Sequence, residues 1–313
     1  MGETKVILLC GSRMAMQVLQ NLVFFKQLVA VVIPVSCKEF ALEVQGLLKE
    51  SGIPVVTVTK KNYSTKLQQI IKKYDAALGL IVTFPYKLPA SVYMLPEKGF
   101  FNFHPGPLPA YQGPDPMFQQ IKNREEYAGG TIHKVDDDFD TGQLILSERI
   151  RLSVDDTHGT LITKLAGLAA GMIDVLIKMA GFGITIPSRP QNLKKAVYYK
   201  RQSAPDITIN WHTMNADTII ALVNACNPWN KGAVTKCNQK IIRILQAEKT
   251  EPANTMTATD PGMILAIEKD GVIVSTNSHV QLKVRLIYID EGFLSAARLN
   301  ELGFFAGNRF ENL

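Results

Sequence analysis

The stretch Val6-Ile7-Leu8-Leu9-Cys10-Gly11-Ser12-Arg13-Met14-Ala15 decides the fold of this chain. Five apolar residues run into a Gly-Ser turn. Ala15–Phe24 follows with apolar positions at helical spacing, so the segment reads as strand, turn, helix. The rhythm continues outward. Leu28–Ile33, Val55–Val58 and Ala76–Val82 are further short apolar runs. Phe40–Glu50 and Tyr63–Lys73 are the amphipathic stretches between them, the first stopped by Ser51-Gly52. Alternating strands and helices predict an α/β fold with a doubly wound, mostly parallel sheet covered on both faces. In that architecture ligands sit beyond the carboxyl ends of the strands. The first turn is not Gly-x-Gly-x-x-Gly, which disfavours a bound dinucleotide.

Downstream, Gly99–Phe103 is one more apolar segment, overlapping the run Phe101-Asn102-Phe103-His104-Pro105-Gly106-Pro107-Leu108-Pro109-Ala110-Tyr111-Gln112-Gly113. On a strand, Asn102 and His104 point to one face, because side chains alternate with period 2. Tyr127–Val135 and Gly142–Ile150 read as two more strands, and the acidic loop between them ends in Phe139-Asp140-Thr141-Gly142. An amide to hold a developing oxyanion, an imidazole, and a carboxylate to orient it are the parts acyl transfer needs. Thr157–Ala180 reads as a long helix with small residues for close packing. Pro187–Pro205 breaks the periodicity and reads as a linker wrapping between domains. Beyond it Ala216–Cys226 is helical, and Ala233–Lys236, Lys240–Ala247, Gly262–Ala266, Val272–Ser275 and Gln281–Ile289 read as the short strands of a small β-barrel closed by a helix over Ser295–Leu302. The expected division is a catalytic domain over 1–187, a linker over 188–205 and a barrel domain over 206–313.

Bulk properties narrow the class. The 313 residues are 46% hydrophobic and 20% charged, as in a soluble globular protein. No apolar run is read as approaching the ~20 residues of a membrane span. The polar start Met1–Lys5 leads straight into a strand without a secretory pattern. Cys10, Cys37, Cys226 and Cys237 form no Cys-x-x-Cys and read as free thiols in a reducing cytoplasm, so the expected location is cytoplasmic, without a membrane partner. The net charge of +6 is uneven. Residues 203–313 hold 10 Lys+Arg and 11 Asp+Glu, against 24 and 17 in the remainder. The basic excess lies on Lys-rich helices such as Lys60–Lys73, which read as solvated faces. Asp136-Asp137-Asp138-x-Asp140 is not a calcium loop, because Thr141 and Ser147 stand where Gly and Glu are needed. His133 has no partner at a zinc spacing and reads as a strand-end histidine, so no metal is expected. His158, near a helix start, reads as a surface residue.

Asn102-x-His104, the following Pro-Gly-Pro-Leu-Pro and Tyr111-Gln112-Gly113, together with Asp140-Thr141-Gly142, resemble the folate-dependent formyltransferase family. That family includes methionyl-tRNA formyltransferases, amino-sugar N-formyltransferases and formyltetrahydrofolate hydrolases. Ile209-Asn210-Trp211, Asn227-Pro228-Trp229, Pro261-Gly262 and Gly307-Asn308-Arg309 resemble the C-terminal barrel found in the first group and part of the second. The resemblance implies a Rossmann-like catalytic domain with an OB-like barrel, and 10-formyltetrahydrofolate as co-substrate. It casts Asn102 as the oxyanion donor, His104 as the group that assists proton removal or supports the charged intermediate, and Asp140 as its orienter. It places the pterin against Phe84, Pro85, Tyr86, Lys87 and Leu88, with Val135, Asp136 and Asp138 on the opposite wall. It assigns Arg13, Met14 and Gly113 to the acceptor. Gln112 stands where the family usually carries Arg, which removes a fixed positive charge.

Three acceptors compete. Methionyl-tRNA formyltransferases carry a long basic insertion after the second strand, whereas here Ile33-Pro34-Val35-Ser36-Cys37-Lys38-Glu39-Phe40 runs almost directly into a helix. A tRNA-binding surface also has phosphates to neutralise, and the barrel half is near neutral. These features favour a small amine, such as an amino-sugar nucleotide, slightly over initiator methionyl-tRNA. Hydrolysis of the donor by water comes third, because the hydrolases of the family carry additional domains.

Overall fold

A computed structural model describes residues 4–250, 260–278 and 280–313 in two compact units. Residues 1–3 of the polar start lie outside the described residues. The first unit comprises residues 4–116, 127–150 and 162–199, and the second 117–126, 151–161 and 200 onward. Segments 117–126 and 151–161 therefore belong with the C-terminal half, and 188–199 with the N-terminal half.

The first unit is built on seven strands: β1 (Val6–Cys10), β2 (Leu28–Pro34), β3 (Val55–Val58), β4 (Leu78–Val82), β5 (Phe100–His104), β6 (Tyr127–Lys134) and β7 (Leu144–Arg151). Their order is β3-β2-β1-β4-β5-β6-β7. The first five are parallel, and β6 runs antiparallel to β5. Every residue of β1 is buried on both faces of the sheet, which explains its unbroken apolar run. Helices α1 (Met16–Phe24), α2 (Lys38–Leu48), α3 (Tyr63–Tyr74) and the short α4 (Ala90–Tyr93) supply the flanking layers. Leu67, Ile70 and Ile71 of α3 and Val92 of α4 share one core with Ile7, Leu9, Ala30, Val32 and Phe100. Burying one such aliphatic side chain contributes about 1.5–3 kcal/mol. The strand order reverses between β1 and β4, the place where open α/β sheets bind ligands.

Two further helices are α5 (Pro116–Lys122) and α6 (His158–Gly181). α6 corrects the expectation that no apolar stretch reaches spanning length: among the described residues it is the one helix long and apolar enough to cross a membrane. Its apolarity has a packing cause, since Leu165, Ala169, Ala170, Met172, Ile173, Leu176 and Ile177 are all buried, and Asp174 Oδ2 accepts from Asn21 Nδ2 of α1 at 3.1 Å.

In the second unit α7 (Ala216–Cys226) is capped by Asn215, whose Oδ1 accepts from the Thr218 N–H at 2.9 Å. The strands are β8 (Ala233–Cys237), β9 (Lys240–Thr250), β10 (Ile264–Glu268), β11 (Gly271–Val274), β12 (Gln281–Ile289) and β13 (Gly292–Ser295). They form an antiparallel sheet in the order β10-β11-β12-β9-β8, with β13 on β12. The final segment ties the two sheet edges together. The Phe310 N–H donates to Gly262 O at 2.7 Å, and the Glu311 N–H donates to Lys236 O at 2.8 Å. Trp211 is buried, stacks on Phe310 at 5.7 Å and donates from Nε1 to Thr235 Oγ1 at 2.9 Å. The closing element over Ala296–Leu302 is a 3₁₀ rather than an α-helix. His158 is buried, 6.0 Å from the Trp229 ring, and is not the surface residue expected.

Candidate active site

Asn102 and His104 lie at the carboxyl end of β5 on one face, as the period-2 reading requires. The antiparallel partner adds what the sequence did not reveal. Asn102 is directly opposite His133 of β6, and His104 is opposite Thr131. Directly opposed residues share a face, so the pairing brings a second imidazole to the site. Thr131 stabilises the Pro-rich run: its Oγ1 donates to Gly106 O at 2.8 Å and accepts from the Leu108 N–H at 3.1 Å.

Asp140 enters from the β6–β7 loop. Its backbone has φ 59°, a left-handed value that Asp tolerates better than most residues. Two side-chain amides and a turn hold it there. Gln112 Nε2 and Gln191 Nε2 donate to its carbonyl at 3.2 and 2.7 Å, and Gln191 also donates to Gly142 O at 2.8 Å. Gln112 thus has a structural task in place of a cation. Gly142 is obligatory, because a Cβ there would lie 1.7 Å from Lys134 O. Gly113, expected at the acceptor, instead donates its N–H to Asp140 Oδ2 at 3.0 Å. Its φ of 116° and the 2.1 Å approach a Cβ would make to Tyr199 O exclude a side chain. The 188–199 segment therefore braces the site: the Gln112 N–H donates to Val197 O at 3.0 Å, the Tyr199 N–H to Gln112 O at 2.9 Å, and Tyr199 stacks on Tyr111 at 5.3 Å.

His104 is buried with both ring nitrogens on acceptors. Nε2 lies 2.6 Å from the Tyr111 carbonyl, to which it donates, and Nδ1 lies 3.3 Å from Asp140 Oδ1. His133 Nε2 is 3.7 Å from the same oxygen and 3.0 Å from Asn102 Nδ2. Burial works against charge on Asp140. The His104 charge and hydrogen bond and the Gly113 N–H outweigh it and hold the carboxyl well below the usual carboxylate range.

A cavity opens beside these groups, lined by Asn102, His133 and Asp140 together with Phe84, Tyr86, Lys87 and Leu88 on one side and Val135, Asp136, Asp138 and Phe139 on the other. Ile81 of β4 completes the lining. Pro85 is exposed and is not among the lining residues. The rims are joined by Lys87 Nζ to Asp138 Oδ1 at 2.8 Å, and by the Tyr93 hydroxyl donating to Asp137 Oδ1 at 2.7 Å. The hydrogen bond to Asp138 raises the Lys87 pKa. The Tyr63 hydroxyl of α3 donates to Lys87 O at 2.7 Å, and its ring packs on Tyr86 at 5.0 Å. The two residues expected beside Gly11 separate. Arg13 is exposed and paired with Glu43 at 2.9 Å. Met14 is buried at 1% exposure, so its side chain faces the core and not an acceptor.

Compared with known families, the formyl transferase profile matches residues 4–176, and the profile of the formyl transferase C-terminal domain matches residues 203–297. The chain belongs to the formyl transferase family. A methionyl-tRNA formyltransferase of Desulforamulus reducens is 32% identical over 233 residues, covering 74% of this chain and 72% of that one. Among solved structures, an N-formyltransferase from Helicobacter canadensis, crystallised with folinic acid and dTDP-3-aminofucose, aligns with a TM-score of 0.67 at 18% identity over 90% of this chain and 98% of that one. HypX from Aquifex aeolicus, in complex with tetrahydrofolic acid, aligns with a TM-score of 0.65 at 16% identity over 95% of this chain, which spans 47% of the length of HypX. At these identities the two structures share the fold with this formyl transferase.

Proposed function

We propose that this formyl transferase moves a formyl group from 10-formyltetrahydrofolate to a primary amine through Asn102, His104 and Asp140. The observation that carries the reading is an amide, Asn102, and a carboxylate held ionised, Asp140, at the wall of one cavity, with the buried imidazole of His104 3.3 Å behind the carboxylate. The cavity suits the donor: Ile81, Phe84, Leu88 and Val135 offer apolar walls to a flat ring, and backbone and acidic groups of the 135–140 loop offer acceptors to its N–H edge.

The chemistry is an acyl transfer. The amine nitrogen attacks the formyl carbon, a C–N bond forms, and the formyl oxygen takes the negative charge. Asn102 donates a hydrogen bond to that oxygen, a contribution of about 3–4 kcal/mol in comparable sites. The proton lost by the amine passes to the folate nitrogen as the carbon–nitrogen bond to it breaks, leaving tetrahydrofolate and the formamide. His104 and Asp140, 3.3 Å apart, carry it.

The acceptor supported by the local structure is a small amine. The connection from β2 to α2 is a single 3₁₀ turn over Val35–Cys37, with no room for a basic insertion. Initiator methionyl-tRNA is the second reading, supported by relatives near 30% identity that bear that activity. The test is tetrahydrofolate release from 10-formyltetrahydrofolate by the protein alone, with methionyl-tRNA, and with amino-sugar nucleotides. Release that needs no amine overturns the transfer reading in favour of hydrolysis, and release only with methionyl-tRNA overturns the small-amine acceptor.

A further inference from the structure

His133 touches two of the three groups assigned to the reaction. It is buried at 2% exposure, faces Asn102 across the β5–β6 ladder, and lines the cavity. Its Nδ1 lies 3.0 Å from the backbone carbonyl of Lys134. A carbonyl only accepts, so Nδ1 carries the hydrogen and Nε2 of the neutral ring presents a lone pair. Asn102 Nδ2 lies 3.0 Å from that lone pair.

We propose that His133 is a positioning residue for formyl transfer, fixing the Asn102 amide with one N–H spent on the imidazole and the other free for the developing oxyanion. The proposal rests on the formyl-transfer reading above. Only the nitrogen of the amide can donate to Nε2, and a flipped amide would set Oδ1 against the lone pair. The terminal torsion of an asparagine is broad and two-fold, so an unheld Asn102 would offer its oxygen to the site part of the time. An oxyanion donor works because it is aimed before charge develops. Among the described residues no other protein group accepts from the Asn102 amide. The Lys134 carbonyl that sets the tautomer is itself fixed, because the Asp-Thr-Gly turn packs against it at Gly142. The alternative hydrogen placement, on Nε2 toward Asp140 Oδ1 at 3.7 Å, would leave Nδ1 facing Lys134 O without a hydrogen.

The test compares His133→Leu, which cannot accept a hydrogen bond, with His133→Gln, whose side-chain oxygen can. His133→Leu is expected to lower kcat about 10- to 100-fold, part of the cost of losing an oxyanion donor, with donor KM within about threefold. His133→Gln is expected to recover most of the rate. A purely packing role would lower thermal stability and donor affinity in both variants with no rescue, and that outcome overturns the proposal. Nitrogen-15 NMR of the unsubstituted protein gives an answer independent of turnover and of the acceptor. A ring hydrogen on Nδ1, with a hydrogen-bonded Asn102 amide resonance, supports the assignment, and a hydrogen on Nε2 alone overturns it. If Asn102→Ala leaves turnover unchanged while the tautomer is as expected, the formyl-transfer reading has failed and His133 is not a catalytic support.

Discussion

Replacing Asp140 with Asn keeps the shape of the side chain and removes its charge. The carboxylate receives the Gly113 N–H at 3.0 Å and faces His104 Nδ1 at 3.3 Å. An asparagine oxygen can still accept from Gly113, while its amide donates to a neutral His104 ring. Charge-assisted hydrogen bonds of about 1.5–3 kcal/mol are thus exchanged for neutral ones of about 0.5–1.5, a net loss of about 1–3 kcal/mol at neutral pH. The sign with pH follows from the direction of the Asp140 shift. Burial opposes the charge, and His104 and Gly113 more than compensate, so the folded-state pKa is depressed. The stabilisation is fully present above the unfolded carboxylate value of about 3.9, and is lost as pH falls through the lower folded value. The gap between parent and Asp140→Asn should be widest above about pH 5 and narrow below about pH 4. Both tryptophans, Trp211 and Trp229, lie in the second unit, so their fluorescence does not report this loss. Hydrogen exchange of peptides covering Phe100–His104 and Tyr127–Lys134 does. Turnover should fall by about 10²–10⁴ as proton transfer is impaired, with folate affinity nearly unchanged. A loss below tenfold, or exchange that is unaltered at pH 7, would refute the role assigned to the carboxylate.

Asn102→Ala should reduce kcat about 10²–10³-fold with little change in donor affinity, measured by steady-state kinetics and folate titration. Gly142→Ala drives a methyl onto Lys134 O at 1.7 Å, so soluble yield and melting temperature should both drop. Lys87→Met breaks an exposed ion pair with Asp138, so melting temperature should hold while donor KM loses part of its salt dependence. Trp211→Ala opens the core of the second unit, at a cost of about 3–5 kcal/mol, read as a lower urea midpoint for the remaining Trp229 fluorescence.

The parallel half of the fold was legible because its signals are local. The five residues of β1 are apolar on both faces, and the helices between strands carry one apolar stripe. α4, α5 and β13 were not legible, being too short for periodicity to register. Asn102, His104 and Asp140 are singled out by period-2 spacing, the Pro-rich run, the Asp-Thr-Gly turn and the resemblance these carry, and the structure sets His104 3.3 Å from Asp140. His133 could not, because its importance comes from strand register: only when β6 is laid antiparallel on β5 does it stand opposite Asn102. Gln191 is a similar case. The Pro-containing segment around it reads as a connector, yet its amide binds two carbonyls of the loop that carries Asp140. Met14 failed for the opposite reason: adjacency to a binding turn says nothing about which way a side chain faces.

The backbone outliers show where this structure spends stability on geometry. Thr83 at the end of β4 has φ 62°, a costly value for a β-branched residue, and Asp140 has φ 59°. Both stand at chain reversals bordering the cavity, and both are over-determined by hydrogen bonds. Thr83 Oγ1 meets Ser12 Oγ at 2.9 Å and accepts from the Gly11 N–H at 3.4 Å, joining the ends of β1 and β4 where the sheet order reverses. Asp140 is gripped through its carbonyl by Gln112 and Gln191 and through its carboxylate by Gly113. Backbone in such regions persists only when its surroundings fix it. The braces come from the Pro-rich run and the 188–199 segment, parts of the chain with no periodic signal. The mostly parallel sheet supplies the platform, and these irregular segments hold the carboxylate 3.3 Å from His104. Removing the Gln191 amide should therefore loosen the Asp140 loop, and slow turnover, before it affects the sheet. Faster hydrogen exchange confined to residues 135–142 in Gln191→Ala is the expected sign, and equal loss of protection across β1 and β4 would contradict it.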